Sequence, residues 1–517
     1  MRNRKIRVLS FMLVLVMVLG MFAGCSKNTS KDTTDTKDDG SKTTTKDSIV
    51  IATANETPSL SPTGHNAVAG SYMNLLTYNT LFKTGKDLNP EPDLVEDYKN
   101  ISDSEWEFTL RKGVKFHNGE EMKADDVVAS IQWAKTFPEV SLYNESIAKI
   151  EKVDDYKVKI TTDGPDARLL SDLTQHGNSI VPKSLLDSGN DFNKNPIGTG
   201  PYVFKEWVSG DKIVFEAFKD YFEGEAPIKN MTWRIIPEGS SRTIALEAGE
   251  IDFIVEVEAM DSERLKGNDK LSVIEYHATN ETWMMLNNEK PGLDNVLVRK
   301  AINAAVDKES VVQVAYNGAA VPAYSQAPNN LPGASDKNTD KYDVEKAKKY
   351  LADSKVDPAS IKFSIICSDD TKKRAGEVVQ ANLKENLGIN CEIESMDLAT
   401  YLSTTAEGNY TAAIGGFSSS TMLGYMIGVC HSKSINASNK TRMNSPEVDA
   451  LIDKASKTVD TDERNKVLAD AVAAVNDLCP QIPLYQPISL RAFNKDLKGV
   501  EVNDSGTLYF NKVSWAN

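Results

Sequence analysis

Cysteine and histidine are scarce in this chain, five of each in 517 residues, and neither is spaced as a metal site requires. Beyond Cys25 the cysteines are Cys367, Cys391, Cys430 and Cys479, with no CxxC pair, so both buried thiols and disulfides stay open. His65, His117, His176, His277 and His431 are isolated from one another along the chain. There is no G-x-S-x-G, no H-E-x-x-H and no phosphate-binding P-loop. A nucleophile with its base, a zinc site and a nucleotide cradle all lack their signatures, so no catalytic residue, metal or cofactor is expected and an exported enzyme is the weaker class. Basic charge is also short, with 59 Lys and Arg against 74 Asp and Glu and a net charge of −15. That balance argues against nucleic acid and against adhesion to anionic lipid through basic patches. Long apolar runs are confined to residues 11–19, shorter than the roughly 20 residues that span a bilayer.

What is present begins with an export signal over residues 1–24: basic Arg2, Arg4, Lys5 and Arg7, the apolar run, then small residues before Cys25. Phe22-Ala23-Gly24-Cys25 resembles the bacterial lipobox, with Phe where Leu is more usual. The resemblance implies that Cys25 is acylated and anchors the mature chain to the outer face of the cell membrane. Residues 26–47 are Ser, Thr, Lys, Asp, Asn and one Gly without an aliphatic side chain, a composition that cannot bury a core and predicts a disordered tether. The rest exceeds one hydrophobic core, so two or three lobes are expected.

The stretch 195–254 organises that remainder. Asn195-Pro196-Ile197-Gly198-Thr199-Gly200-Pro201-Tyr202 forces a tight turn before a strand. Strands follow at 213–218 and 231–236, a helix at 240–248 ending at Gly249, and a return to the sheet at 250–254. Upstream, alternation at Trp106, Phe108 and Leu110 predicts a half-buried strand, Gly113 a turn, Val114 and Phe116 a return strand, and Asn118-Gly119 a hairpin-type turn. An acidic helix start follows at Ala124-Asp125, and His117 reads as a turn histidine. Downstream, a helix over 296–305 carries Val298, Ile302 and Ala305 on one side; Asp307 caps the next helix, which ends at Gly318. Segments 361–367, 373–385 and 389–393 read as a βαβ unit, and a second unit leads to 411–420.

Four of these phrases, GTGPYVFKEW…ALEAGEIDFI, WEFTLRKGVKFHNGE…KADDVV, LDNVLVRKAINAAVDKESVV and CPQIPLYQ, resemble the family 5 extracellular solute-binding proteins, the oligopeptide- and dipeptide-binding components of ABC importers. The resemblance covers essentially the whole mature chain. It implies an α/β, two-lobed periplasmic-binding-protein-like fold with an additional inserted subdomain, mixed sheets and a hinge between lobes. The expected division is a first lobe of 48–81, 193–280 and 485–517, an inserted lobe of 82–192 and a third lobe of 281–484, with 25–47 as lipidated Cys and tether. The implied function is capture of a peptide by hinge closure and delivery to membrane permease subunits by a monomeric protein. An oligosaccharide or other non-peptide solute is the alternative. The implied role of Arg299 is a helix ion pair.

Ligands of open α/β sheets lie outside the carboxyl ends of strands. Gly415 to Ser420 is therefore the ligand-loop candidate: Gly416 allows close approach, Phe417 offers an apolar wall, and Ser418, Ser419 and Ser420 supply hydroxyls. A surface turn capping the next helix is the competing reading. Ser59 and Leu60 in the Pro-rich loop after the first strand, Trp283 and Met285 at the start of the third lobe, and Tyr485 at the return complete the candidate site. The triple serine offers no carboxylate for a ligand's ammonium group, so either the ligand lacks that charge or the acid comes from elsewhere, with Glu56 the nearest candidate.

Overall fold

The computed structural model describes residues 46–516, so the export signal, Cys25 and nearly all of the tether lie outside the described residues. The fold hangs on one strand, Gln481–Asn494. Its first residues pair with Asn280–Leu286, while its later ones pair with Leu271–His277 and Phe253–Ile254. A single extended segment thus belongs to both halves of a 12-stranded sheet. On one side the order continues from Asn280–Leu286 through Ala412–Ser418 and Phe363–Cys367 to Cys391–Ser395. On the other it runs from Phe253–Ile254 through Ser48–Thr53, Asn230–Ile235 and Lys212–Ala217 to Tyr202–Val208. Pro483 and Pro487 stand inside the long strand, where their missing N–H groups weaken its local sequence signal.

Alternation sorts the side chains of Asn280–Leu286 between two cores. Met284 and Leu286 face the helices Val296–Ala305, Lys308–Tyr316 and Asp370–Leu387; Trp283 and Met285 face Pro446–Lys457 and Thr461–Leu478. In the other half Ile49, Ile51, Phe215, Met231, Trp233 and Phe253 make a third core. Asp307 caps its helix by accepting from Glu309 N and Ser310 N, and the helix closes at Asn317 and Gly318, both with positive φ.

A separate sheet of four strands has the order Val95–Ser102, Glu105–Leu110, Lys157–Thr162, Ile147–Asp154. Trp106, Phe108 and Leu110 are buried and their alternates are not, as the period of two requires. The expected return strand at Val114 and Phe116 is corrected. The neighbours of Glu105–Leu110 are Val95–Ser102 and Lys157–Thr162, which leaves no edge for it. Val114 and Phe116 instead anchor a small loop that folds on itself about Asn118-Gly119, with Met122 N donating to Val114 O at 2.8 Å and a single bridge between Lys115 and Glu121.

His117 ties this loop to the glycine turn. Its main-chain N donates to Gly198 O at 2.9 Å, and its Nε2 lies 2.9 Å from Gly200 O. Arg299 is also corrected: it makes no ion pair among the described residues. Its buried guanidinium donates to the carbonyls of Leu293, Asp294, Leu478 and Cys479, closing the end of the helix Thr461–Leu478, whose last carbonyls have no partner within the helix.

Candidate functional site

Strand direction locates the candidate site. Ala412–Ser418 runs antiparallel to Asn280–Leu286, with Ser418 opposite Asn280, and Phe363–Cys367 and Cys391–Ser395 run parallel to it. All three carboxyl ends in that half therefore point toward the crossover near residue 280. In the other half Phe253–Ile254 runs antiparallel to Gln481–Asn494, with Ser48–Thr53 and Asn230–Ile235 parallel to it, so these ends point to the same crossover. Loops leaving six strands meet there, the arrangement in which open α/β sheets hold ligands. Buried Arg242 fixes one edge by donating to the carbonyls of Ile236, Pro237 and Glu256. Helix caps fix the other: Asp369 accepts from Lys372 N, and Thr421 accepts from Gly424 N.

A cavity of about 560 Å³ opens between the helix Val68–Thr77, the strands Phe82–Thr84 and Pro90–Pro92, the turn at 174–179 and the C-terminal segment 499–512, with Ser420 at its wall. Amide and hydroxyl side chains are numerous in the lining, among them Asn74, Asn79, Thr80, Gln175, Asn503 and Asn511, set among apolar surface to which Tyr78, Tyr221 and Tyr509 contribute their rings. Lys83 pairs with Glu223 at 3.4 Å across one end. Asp93 is buried in the same wall, accepting from Asn79 Nδ2 at 2.9 Å, and burial pushes its pKa up to about 6.

The residues expected at the site fall in different places. Ser420 lines the cavity. Gly415 to Ser418 belong to the strand Ala412–Ser418 and not to a loop, so the loop reading is corrected to Ser419 and Ser420. Glycine is required inside that strand because a Cβ on Gly416 would stand 2.7 Å from Glu281 O. Phe417 packs edge-on against Tyr425, with ring centroids 6.0 Å apart. Ser59 Oγ and Leu60 N both bond Asn193 Oδ1, while Tyr78 donates to Leu60 O. Trp283 and Met285 are buried in the core, as is Tyr485 beside Tyr316.

Glu56 accepts from Trp207 Nε1, Gly210 N and Ser209 Oγ. Burial, the largest single influence, raises its pKa, and these bonds together outweigh it and hold the carboxyl below the ordinary carboxylate value. Its carboxylate is therefore engaged within the protein and does not line the cavity.

The histidines were expected to be isolated, and the structure corrects this. The rings of His65 and His176 stack at 4.7 Å with an interplanar angle of 13°. His176 Nε2 lies 3.0 Å from His65 O, and His176 borders the cavity. Burial and the neighbouring imidazole lower the pKa of His65 to about 4. All four described cysteines are free and buried. Asp93, Tyr221, Asn503 and Tyr509 escaped sequence reasoning. Tyr509 Oη reaches Thr84 O and Asn503 Nδ2 reaches Gly85 O, contacts across more than 400 residues with no local signal.

Residues 89–433 match the model of the bacterial extracellular solute-binding proteins, family 5. Heme-binding protein A of Haemophilus influenzae is 29% identical over 97% of this chain and 98% of its own. Oligopeptide-binding protein AppA of Bacillus subtilis is 27% identical over 100% and 99%. The solved structure of HbpA2 from Haemophilus parasuis superposes with a TM-score of 0.84 at 27% identity, over 91% of this chain and 100% of that one. The architecture is the two-lobed α/β fold of these proteins. The chain belongs to the family 5 extracellular solute-binding proteins: it is a binding protein and not an enzyme.

Proposed function

We propose that this chain is the extracytoplasmic substrate-binding lipoprotein of an ABC importer, capturing peptides by hinge closure and delivering them to permease subunits. The observation that carries the reading is the convergence of six strand ends on one crossover, with Ser420, just past one of those ends, in the wall of a cavity of about 560 Å³. The lobe boundaries belong to this proposal: 48–81 with 193–280 and 485–517, an inserted 82–192, and 281–484. So do acylation at Cys25, attachment to the outer face of the cell membrane and a monomeric state. The oligopeptide-binding relative supports a peptide ligand. The amide- and hydroxyl-rich lining favours a second reading, an oligosaccharide or other polar non-peptide solute.

Native mass spectrometry of freshly purified protein identifies what it retains, and small-angle scattering with and without that solute tests closure. A peptide adduct with a smaller radius in the complex is expected. An unchanged radius at proven saturation overturns hinge closure, and a sugar adduct selects the second reading.

A further inference from the structure

The proposed peptide site leaves one charge to be placed. A ligand ammonium enclosed between lobes needs a carboxylate beside it, because an unpaired charge is costly out of water. Ser418, Ser419 and Ser420 have none, and Glu56 is engaged by Trp207, Ser209 and Gly210. Asp93 is placed differently. It is 5% exposed, it lines the cavity, and its backbone is fixed by Asp93 N donating to Leu81 O at 3.0 Å. Its Oδ2 is oriented by Asn79, which is itself held through its Oδ1 by Thr199 Oγ1 at 3.0 Å.

No lysine or arginine among the described residues makes an ion pair with it. Lys83, the nearby cation, is paired with Glu223, and Arg111 Nε donates to the main-chain carbonyl of Asp93 and not to its carboxylate. At neutral pH the cavity wall therefore presents a desolvated carboxylate whose hydrogen-bond partners, Asn79 and the Thr80 main chain, are neutral and which has no ion-pair partner, Lys83 reaching it only as a longer-range charge. A polar solute with a primary ammonium group supplies what is missing.

We propose that Asp93 is the acid of the ligand cavity and receives a primary ammonium group of the bound solute. The inference rests on the peptide-binding reading above. It also explains how a chain whose candidate loop carries only serines accommodates a cationic ligand group.

The test is calorimetric titration of tetra-alanine and N-acetyl-tetra-alanine into wild type and Asp93→Asn at pH 7.5. Asparagine keeps one oxygen for the Asn79 bond, removes the charge and puts a donor in place of the second oxygen. Wild type is expected to bind the free peptide about thirtyfold more tightly than the acetylated one, and Asp93→Asn to discriminate less than about threefold. Tight, equal binding of both peptides by wild type, or undiminished discrimination in Asp93→Asn, overturns the role of Asp93 while peptide binding stands. Failure of wild type to bind either peptide overturns both.

A second measurement needs no variant. Burial holds the Asp93 carboxyl above the ordinary carboxylate range, so pairing with an ammonium releases protons near pH 6 when the free peptide binds, and the cavity's other titratable side chains, His176, Glu91, Glu223 and Glu501, meet both peptides alike. Titration at pH 6 in buffers of different ionisation enthalpy reads that release, and a release no larger for the free peptide than for the acetylated one overturns the proposal.

Discussion

Two glycine pairs, Gly198 with Gly200 and Gly415 with Gly416, look alike in the sequence and serve different neighbours. A Cβ on Gly200 would stand 2.5 Å from Leu76 O and 2.6 Å from Tyr78 N, where the helix Val68–Thr77 ends. On Gly198 it would strike the Thr77 carbonyl. The second pair sits inside a strand, where Gly416 faces the Glu281 carbonyl and Gly415 faces the Tyr401 hydroxyl and the Met285 methyl. Neither pair has positive φ among the described glycines, so space and not conformation demands the residue. Both pairs let protein approach protein. Close approach of a ligand is only one reason for a glycine, and what lies within 3 Å of the absent Cβ decides which reason applies.

The largest effect expected from breaking this comparison is at Gly200. Gly200→Ala drives a methyl into main-chain atoms on several sides, and main chain cannot step aside as a side chain can. A loss of about 3 kcal/mol is expected by urea unfolding of the folded fraction. A loss below about 1 kcal/mol would mean that the turn moves freely against the helix, and the junction would not be the rigid element described.

His117, which clamps the same turn, gives a pH signature of similar size. Burial lowers its pKa to about 4, against a partly opposing hydrogen bond to the Gly200 carbonyl. The folded state thus prefers the neutral ring, whereas the unfolded chain takes up a proton below about pH 6.5. The stability owed to this ring is present above pH 6.5 and is lost as pH falls toward 4. The advantage of wild type over His117→Asn at pH 7.5 should shrink by about 2–3 kcal/mol at pH 4. Comparison with the variant isolates this ring from Asp93 and Asp172, whose pKa values burial raises to about 6 and about 7 and whose contributions have the opposite sign.

Much of the fold is legible because periodicity is a local property. Trp106, Phe108 and Leu110 declare a strand by their spacing, and Val298, Ile302 and Ala305 declare a helix face. Asp307 with Gly318 marks where a helix begins and ends. The long strand Gln481–Asn494 is harder to read, since Pro483 and Pro487 weaken it locally while partners up to 240 residues away stabilise it, Ala492 opposite Ile254 and Phe493 opposite Phe253 among them.

The cavity is harder still. Its walls come from the first helix, the segment between residues 80 and 93, the turn around His176 and the last residues of the chain, and no window of sequence contains two of its distant walls. The same distance hid the stacking of His65 on His176, which lie 111 residues apart in sequence. Asp93 looks like an ordinary surface acid until its burial is known.

The smallest effects sharpen the second glycine pair. Gly416→Ala meets a main-chain oxygen at 2.7 Å, so the two strands must separate slightly, and a loss of about 2 kcal/mol is expected. Gly415→Ala meets only the ends of two side chains, Tyr401 Oη at 2.5 Å and Met285 Cε at 2.7 Å. Met285 can turn its methyl away, but Tyr401 Oη donates to Ile414 O at 2.9 Å and must stretch that bond, so a loss of about 1 kcal/mol is expected. Affinity for the retained solute, measured by calorimetry on the folded protein, should change less than threefold in Gly415→Ala, since Ser420 and not Gly415 lines the cavity. A tenfold loss of affinity with stability intact would return these glycines to the ligand and make Ala412–Ser418 a binding edge, in which case the two pairs would differ in kind and not merely in neighbours.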